Sequence, residues 1–150
     1  MRITQLAITA LASLLLLISC NNGENNIPKK PDQTRCFTGE MTVDQNDGTF
    51  YTQNDVQVDF EIMGDKLNFK MYKVKFADAM PIKLDMAVEG VDYVSTEAGY
   101  TISGDGIVPF AMGGPFDKFT ITKLIGSITD TTMTISFICG EYPVTYAGSR

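Results

Sequence analysis

The stretch that decides the fold runs Val56-Gln57-Val58-Asp59-Phe60-Glu61-Ile62-Met63-Gly64-Asp65-Lys66-Leu67-Asn68-Phe69-Lys70-Met71. Val56, Val58, Phe60 and Ile62 alternate with polar residues, and after Gly64-Asp65 the apolar series resumes at Leu67, Phe69 and Met71. A period of two puts alternate side chains on opposite faces of a strand. A two-residue turn at Gly64-Asp65 pairs Ile62 with Leu67, Phe60 with Phe69 and Val58 with Met71, and sets Asp59 opposite Lys70 on the other face. Both faces accept the same register, so the segment is expected to be a β-hairpin with one buried side.

The same period governs the chain from Cys36 onward. Val74 and Phe76 fall out of phase with Met71, which calls for a bulge near Tyr72-Lys73 and a bend in the strand. Pro81 is expected to open the next strand, with Ile82, Leu84, Met86 and Val88 on its apolar side. Weaker strands are expected at 36–44 and 99–103. Leu124, Gly126 and Ile128 should face Met133, Ile135 and Phe137 across a turn at Asp130-Thr131, and Tyr142 to Tyr146 completes eight. Eight short antiparallel strands suggest an all-β domain, a closed up-and-down barrel or a sandwich, and closure removes aggregation-prone edges.

Ahead of the strands lies a segment of different character. Leu6 to Ile18 is an apolar run of 13 residues behind Met1-Arg2, the length of a signal-peptide core and short of the roughly 20 needed to span a bilayer. It ends Leu17-Ile18-Ser19-Cys20, which resembles a bacterial lipobox and implies lipidation at Cys20. The plain alternative is an ordinary cleaved signal beside a coincidental cysteine. One acyl chain holds weakly, at about 0.8 kcal/mol per buried CH₂, so stable anchoring takes more than one. Residues 1–19 thus read as signal peptide, 20–35 as lipidated Cys and polar tether, and 36–150 as the domain. The membrane is the expected partner through the lipid, in the cell envelope and by expectation at the outer membrane, with the face undecided.

The segments Phe37–Val43, Pro81–Val91, Leu124–Thr129 and Cys139–Gly148 resemble those of bacterial calycin-like β-barrel lipoproteins, a likeness that spans residues 36–148. It implies a lipocalin-like barrel and brings no catalytic residue, because the likeness is one of strand pattern and not of chemistry.

The counts exclude several functions. The 150 residues include no His and no Trp, with 12 Lys plus Arg against 18 Asp plus Glu and a net charge of -6. Without imidazole there is no Ser-His-Asp or Cys-His catalysis and no His-ligated metal. The acidic balance argues against nucleic acid as a partner. Gly104-Asp105-Gly106 lacks the helix a phosphate loop needs. Asp44-Gln45-Asn46-Asp47-Gly48 has loose calcium-loop flavour without the EF-hand spacing, and reads as a turn. No metal, no cofactor and no catalytic residue is assigned.

With Cys20 given to lipid, Cys36 and Cys139 remain as an even pair in an exported chain, and a disulfide between them would staple the seam. The alternative is two reduced, half-buried thiols, and the opposite phases of Cys36 and Cys139 speak for it. Interior volume is equally two-sided. Phe60, Phe69, Met71, Met86 and Phe137 inside, with Phe110 and Met112 on the loop Asp105–Asp117, could line a cavity and its flap for a small apolar ligand. The same residues could fill the barrel and plug its end. The expected function is therefore a non-enzymatic, lipid-anchored barrel that binds an apolar ligand or an envelope protein, or a filled barrel acting as an interaction or structural module.

Overall fold

The structure, a computed structural model, describes residues 36–150; the expected signal peptide, Cys20 and the tether to residue 35 lie outside the described residues. Eight long strands form the wall: β1 (Cys36–Asp44), β2 (Phe50–Met63), β3 (Lys66–Val74), β4 (Leu84–Ser95), β5 (Gly99–Gly104), β8 (Ile121–Thr129), β9 (Thr132–Cys139) and β10 (Tyr142–Ser149). Two-residue strands β6 (Phe110–Ala111) and β7 (Gly114–Pro115) and a 3-10 turn (Asp117–Phe119) occupy the long connection. All pairings are antiparallel, each wall strand lies beside its sequence neighbours, and β1 pairs with β10. The sheet is a closed eight-stranded up-and-down barrel, in which every long edge is paired.

The β2–β3 hairpin has the register read from its alternation, with Ile62 opposite Leu67, Phe60 opposite Phe69, Val58 opposite Met71 and Asp59 opposite Lys70. The bulge is also found. The β3–β4 register shifts between Met71 and Val74, Lys73 takes φ 54°, and Val74 and Phe76 return to the interior. A bulge leaves a backbone N–H without a ladder partner, and here side chains of neighbouring segments accept it. Asp85 takes the Lys73 N–H at 3.0 Å, Asp105 takes that of Lys123 in the β8 bulge at 2.9 Å, and Asn68 takes that of Gly90 in β4 at 2.9 Å. The bulges curve the sheet so that it can close.

Two expectations shift. Strand β4 begins at Leu84 rather than Pro81, and Ile82 is exposed. Val74–Leu84 is the last β3–β4 pair, and the residues between them cross the barrel end instead of extending the ladder. The loop Asp105–Asp117 is part of the wall. Strand β5 ends at Gly104, and β6 takes up its place against β4, with Ala111 opposite Met86, while Ile107 bridges to Ile121 of β8.

The interior is filled. Met41, Val58, Leu67, Met71, Met86 and Met133 have no accessible surface at all, so they border neither solvent nor a void that could hold water. Aromatic rings close the two ends. At the end with the β2–β3 turn, Phe37 stacks on Phe60, which meets Tyr100 edge-on at 6.1 Å. At the other, Phe119 packs against Phe76 at 5.3 Å and Phe116 at 5.0 Å.

The disulfide expectation is corrected, for Cys36 and Cys139 are free thiols. Strands β1 and β9 both run antiparallel to β10, so they are parallel to each other, and the start of one and the end of the other lie at opposite ends of the barrel. Cys139 pairs with Tyr142, whereas Cys36 lies beyond the row of Ser149; at 3.2–3.4 Å per residue the separation is about 23 Å or more. A bridge needs Cα atoms within roughly 7 Å. The thiols should therefore both titrate in denatured, unreduced protein. In the native protein Cys139 should stay unreactive, being fully buried with its pKa pushed up by desolvation. Cys36 should react slowly, because partial burial and then the charge of Asp59 raise its pKa. Absence of free thiol in the denatured chain would restore the bridge.

Candidate functional site

The seven residues considered as an interior site separate into two groups. Phe60, Phe69, Met71, Met86 and Phe137 lie inside and form one packed core, Phe60 at 8% exposure and the others at 2% or less. Phe110 and Met112 point outward, at 43% and 66% exposure, while Ala111 between them faces in. The flap residues and the interior residues are thus on opposite sides of the wall and make no common pocket.

The outer surface is divided by charge. Strands β2, β3 and β4 carry nine charged residues. Among them Lys66 pairs with Asp92 and Lys70 with Asp85, while the Tyr72 hydroxyl donates to Asp59 at 2.7 Å. That carboxylate and the partial burial of Tyr72 both raise its pKa, burial first. The neighbouring strands β5, β8, β9 and β10 carry a single charge, Lys123. Many of their outward positions are short hydroxyl side chains, Thr101, Ser103, Ser127, Thr134, Ser136 and Thr145, around an exposed Ile125. The expected pairing of Asp59 with Lys70 as cross-strand neighbours holds in register, but each charge finds its closest partner elsewhere, on a solvated face.

Concavities occur at the end of the barrel away from the β2–β3 turn. A cleft of about 430 Å³ lies between the 3-10 turn and the β9–β10 turn, lined in part by Lys118, Thr120, Glu141 and Tyr142. A second, of about 530 Å³, lies between the β1–β2 turn and the crossing segment 75–80, with Gln45, Asp47, Thr49, Phe50, Thr52 and Asp78 along it.

The second cleft is held by specific bonds. The Gln45 carboxamide donates to the Phe76 carbonyl at 3.3 Å and accepts the Asp78 N–H at 3.3 Å, which ties the two walls together. The Asn46 amide reaches the Glu141 carbonyl at 2.8 Å and fixes the turn to the β9–β10 connection. Within the turn, one Asp47 oxygen accepts both the N–H and the hydroxyl of Thr49, at 2.9 and 2.6 Å, and these bonds lower the Asp47 pKa. The segment expected to be a turn is one, closed by the bonds of Asp44 to the Asn46 N–H and of Asp47 to the Thr49 N–H. Phe50 follows it in the outward phase and is 67% exposed, the most exposed aromatic ring among the described residues.

Sequence reading passed over this cleft, since Phe50 sits two residues after a Gly and outside any alternating run. Its opposite wall is 26 or more residues away. Phase alone points the wrong way, since Phe50 shares the parity of the inward Val56, Val58 and Phe60, and it is the irregularity at Asp55, with φ 59°, that turns the ring outward. No family model, curated protein or solved structure matches the chain.

Proposed function

We propose that the chain is a non-enzymatic, lipid-anchored β-barrel of the cell envelope that acts through its outer surface and not through its lumen. The observation that carries this reading is the filled interior, whose central side chains have no accessible surface. A carrier of the lipocalin kind needs a connected cavity and an apolar mouth, and the aromatic rings at both ends of the barrel stand in the way of one. The division of the wall into a charged half and a neutral half supports the same reading, because it gives the outside distinct faces for partners in the envelope.

Anchoring rests on the lipobox at Leu17–Cys20. In cells, a Cys20→Ala chain is expected to leave the membrane fraction, whereas the parent chain stays with it through the acyl chains. Full retention of the variant in the membrane fraction would refute the anchor. For the lumen, native mass spectrometry of envelope-extracted protein should give the chain with its acyl mass alone. A retained apolar molecule bound in stoichiometric amount would return the function to the interior.

A further inference from the structure

We propose that the cleft between the β1–β2 turn and segment 75–80 binds a pyranose ring of a neutral glycan, stacked on Phe50 and hydrogen-bonded by Asp47 and Asp78. The proposal rests on the reading that the outer surface does the binding, and it names the ligand class for one place on that surface.

The open valences of the cleft describe what it can hold. A carboxylate only accepts hydrogen bonds. Asp47 spends one oxygen on Thr49 and keeps the other, and the Asp78 carboxylate has no bond or ion pair among the described residues. Of the hydroxyls that line the cleft, that of Thr49 donates to Asp47 and that of Thr52 is shared with Thr42 at 3.3 Å, and only that of Tyr51 has no hydrogen bond among the described residues, one donor against three open carboxylate oxygens. The ligand must therefore supply several donors. It must also supply an apolar face, because the exposed Phe50 ring stacks on no other ring among the described residues.

Charge narrows the class further. Two carboxylates repel an anion. Lys75, which bonds the Asp78 carbonyl at 3.0 Å and lies 5.3 Å from the centre of the Tyr51 ring, offsets part of that charge, and a small inorganic cation has no C–H face to lay on Phe50. A neutral molecule with a C–H face and a rim of hydroxyl donors answers both the ring and the carboxylates, and a sugar ring has both. The volume of about 530 Å³ lies within the range of ligand sites. The Gln45 and Thr49 bonds hold the acceptors in place before the ligand arrives, which lowers the ordering cost of binding.

The test is saturation-transfer NMR on the full-length, detergent-extracted chain with cellobiose, lactose and chitobiose, and separately with spermidine, each at about 10 mM, a concentration suited to millimolar affinity. Transfer to the ring C–H protons of at least one disaccharide is expected. Phe50→Ala should reduce it about fivefold or more, and Asp78→Asn should reduce it as well. The Phe50→Ala variant should keep its unfolding midpoint, since the ring is exposed. No transfer to any of the sugars, transfer undiminished in Phe50→Ala, or transfer to spermidine alone would overturn the proposal. Transfer that persists in Phe50→Ala but disappears when the lumen is altered by Phe137→Leu would overturn the outer-surface reading as well.

Discussion

Gly39→Ala is expected to lower the unfolding free energy by about 3 kcal/mol or more, at the upper end of what overpacking costs. A methyl group at this position would lie 2.0 Å from the Ala147 carbonyl oxygen and 2.3 Å from the Gly148 Cα, and both are backbone atoms that no rotamer change can move aside. Gly39 is opposite Gly148 in the β1–β10 ladder, the pair that closes the barrel. The space that the missing side chain of Gly148 leaves is used by Tyr146. Its ring lies against Gly148, where an added Cβ would meet the hydroxyl at 2.2 Å, and that hydroxyl donates to the Val56 carbonyl of β2 at 3.1 Å. The β1–β2 register shifts between Gly39 and Met41, beside the Gly39–Val56 pair, so the tyrosine reaches across β1 at the place where the ladder is irregular. Tyr146 is 2% exposed, and its burial raises the hydroxyl pKa, which keeps it a donor. Forcing β1 from β10 would open the seam and expose two strand edges, so the variant should also aggregate at lower temperature. The control is Gly114→Ala, where an added Cβ meets nothing within 4 Å, and which should stay within about 0.5 kcal/mol of the parent. Urea unfolding of the two variants decides the matter, and a Gly39→Ala cost below about 1 kcal/mol would mean that the seam is not tightly closed.

How far such features can be read from the chain depends on whether the signal is local. The Val56–Met71 hairpin was legible to the residue, because its turn and the alternation on both faces agree. The bulge at Lys73 was legible as a slip of phase, since Val74 and Phe76 had to return inside. The disulfide expectation failed for a reason of topology. A start-of-strand Cys36 and an end-of-strand Cys139 look adjacent when both are assigned to the seam, but strands on either side of β10 are parallel, which places the two positions at opposite ends. The role of β6 was hidden because two residues carry no period, and its register follows from the shortness of β5. The cleft at Phe50 was hidden for a similar reason. Its walls meet through side chains, above all Gln45, which links the β1–β2 turn to a segment more than 30 residues later.

Phe137→Ala bears on both the fold and the function. Phe137 is 1% exposed, faces inward from β9, and shares the core with methionines that have no accessible surface. Removing the ring should cost about 3–5 kcal/mol, the loss of transfer free energy together with the cavity left behind. The lining of that cavity would be apolar and therefore dry, able to take a molecule the size of benzene. A ligand that binds only the folded state raises its stability by mass action. Benzene should thus raise the unfolding midpoint of Phe137→Ala and leave that of the parent chain unchanged. If the alanine variant is too unstable to purify, Phe137→Leu removes less volume and should cost about 1–2 kcal/mol, with a correspondingly smaller response. Stabilisation of the parent chain by benzene would mean that its lumen already has room, and the outer-surface function would lose its main support. A loss below about 1 kcal/mol for Phe137→Ala would say instead that the centre of the barrel can collapse around the missing ring. Adaptable Met71, Met86 and Met133 could close such a gap by changing rotamers, so the size of the loss also measures how tightly these methionines pack the interior.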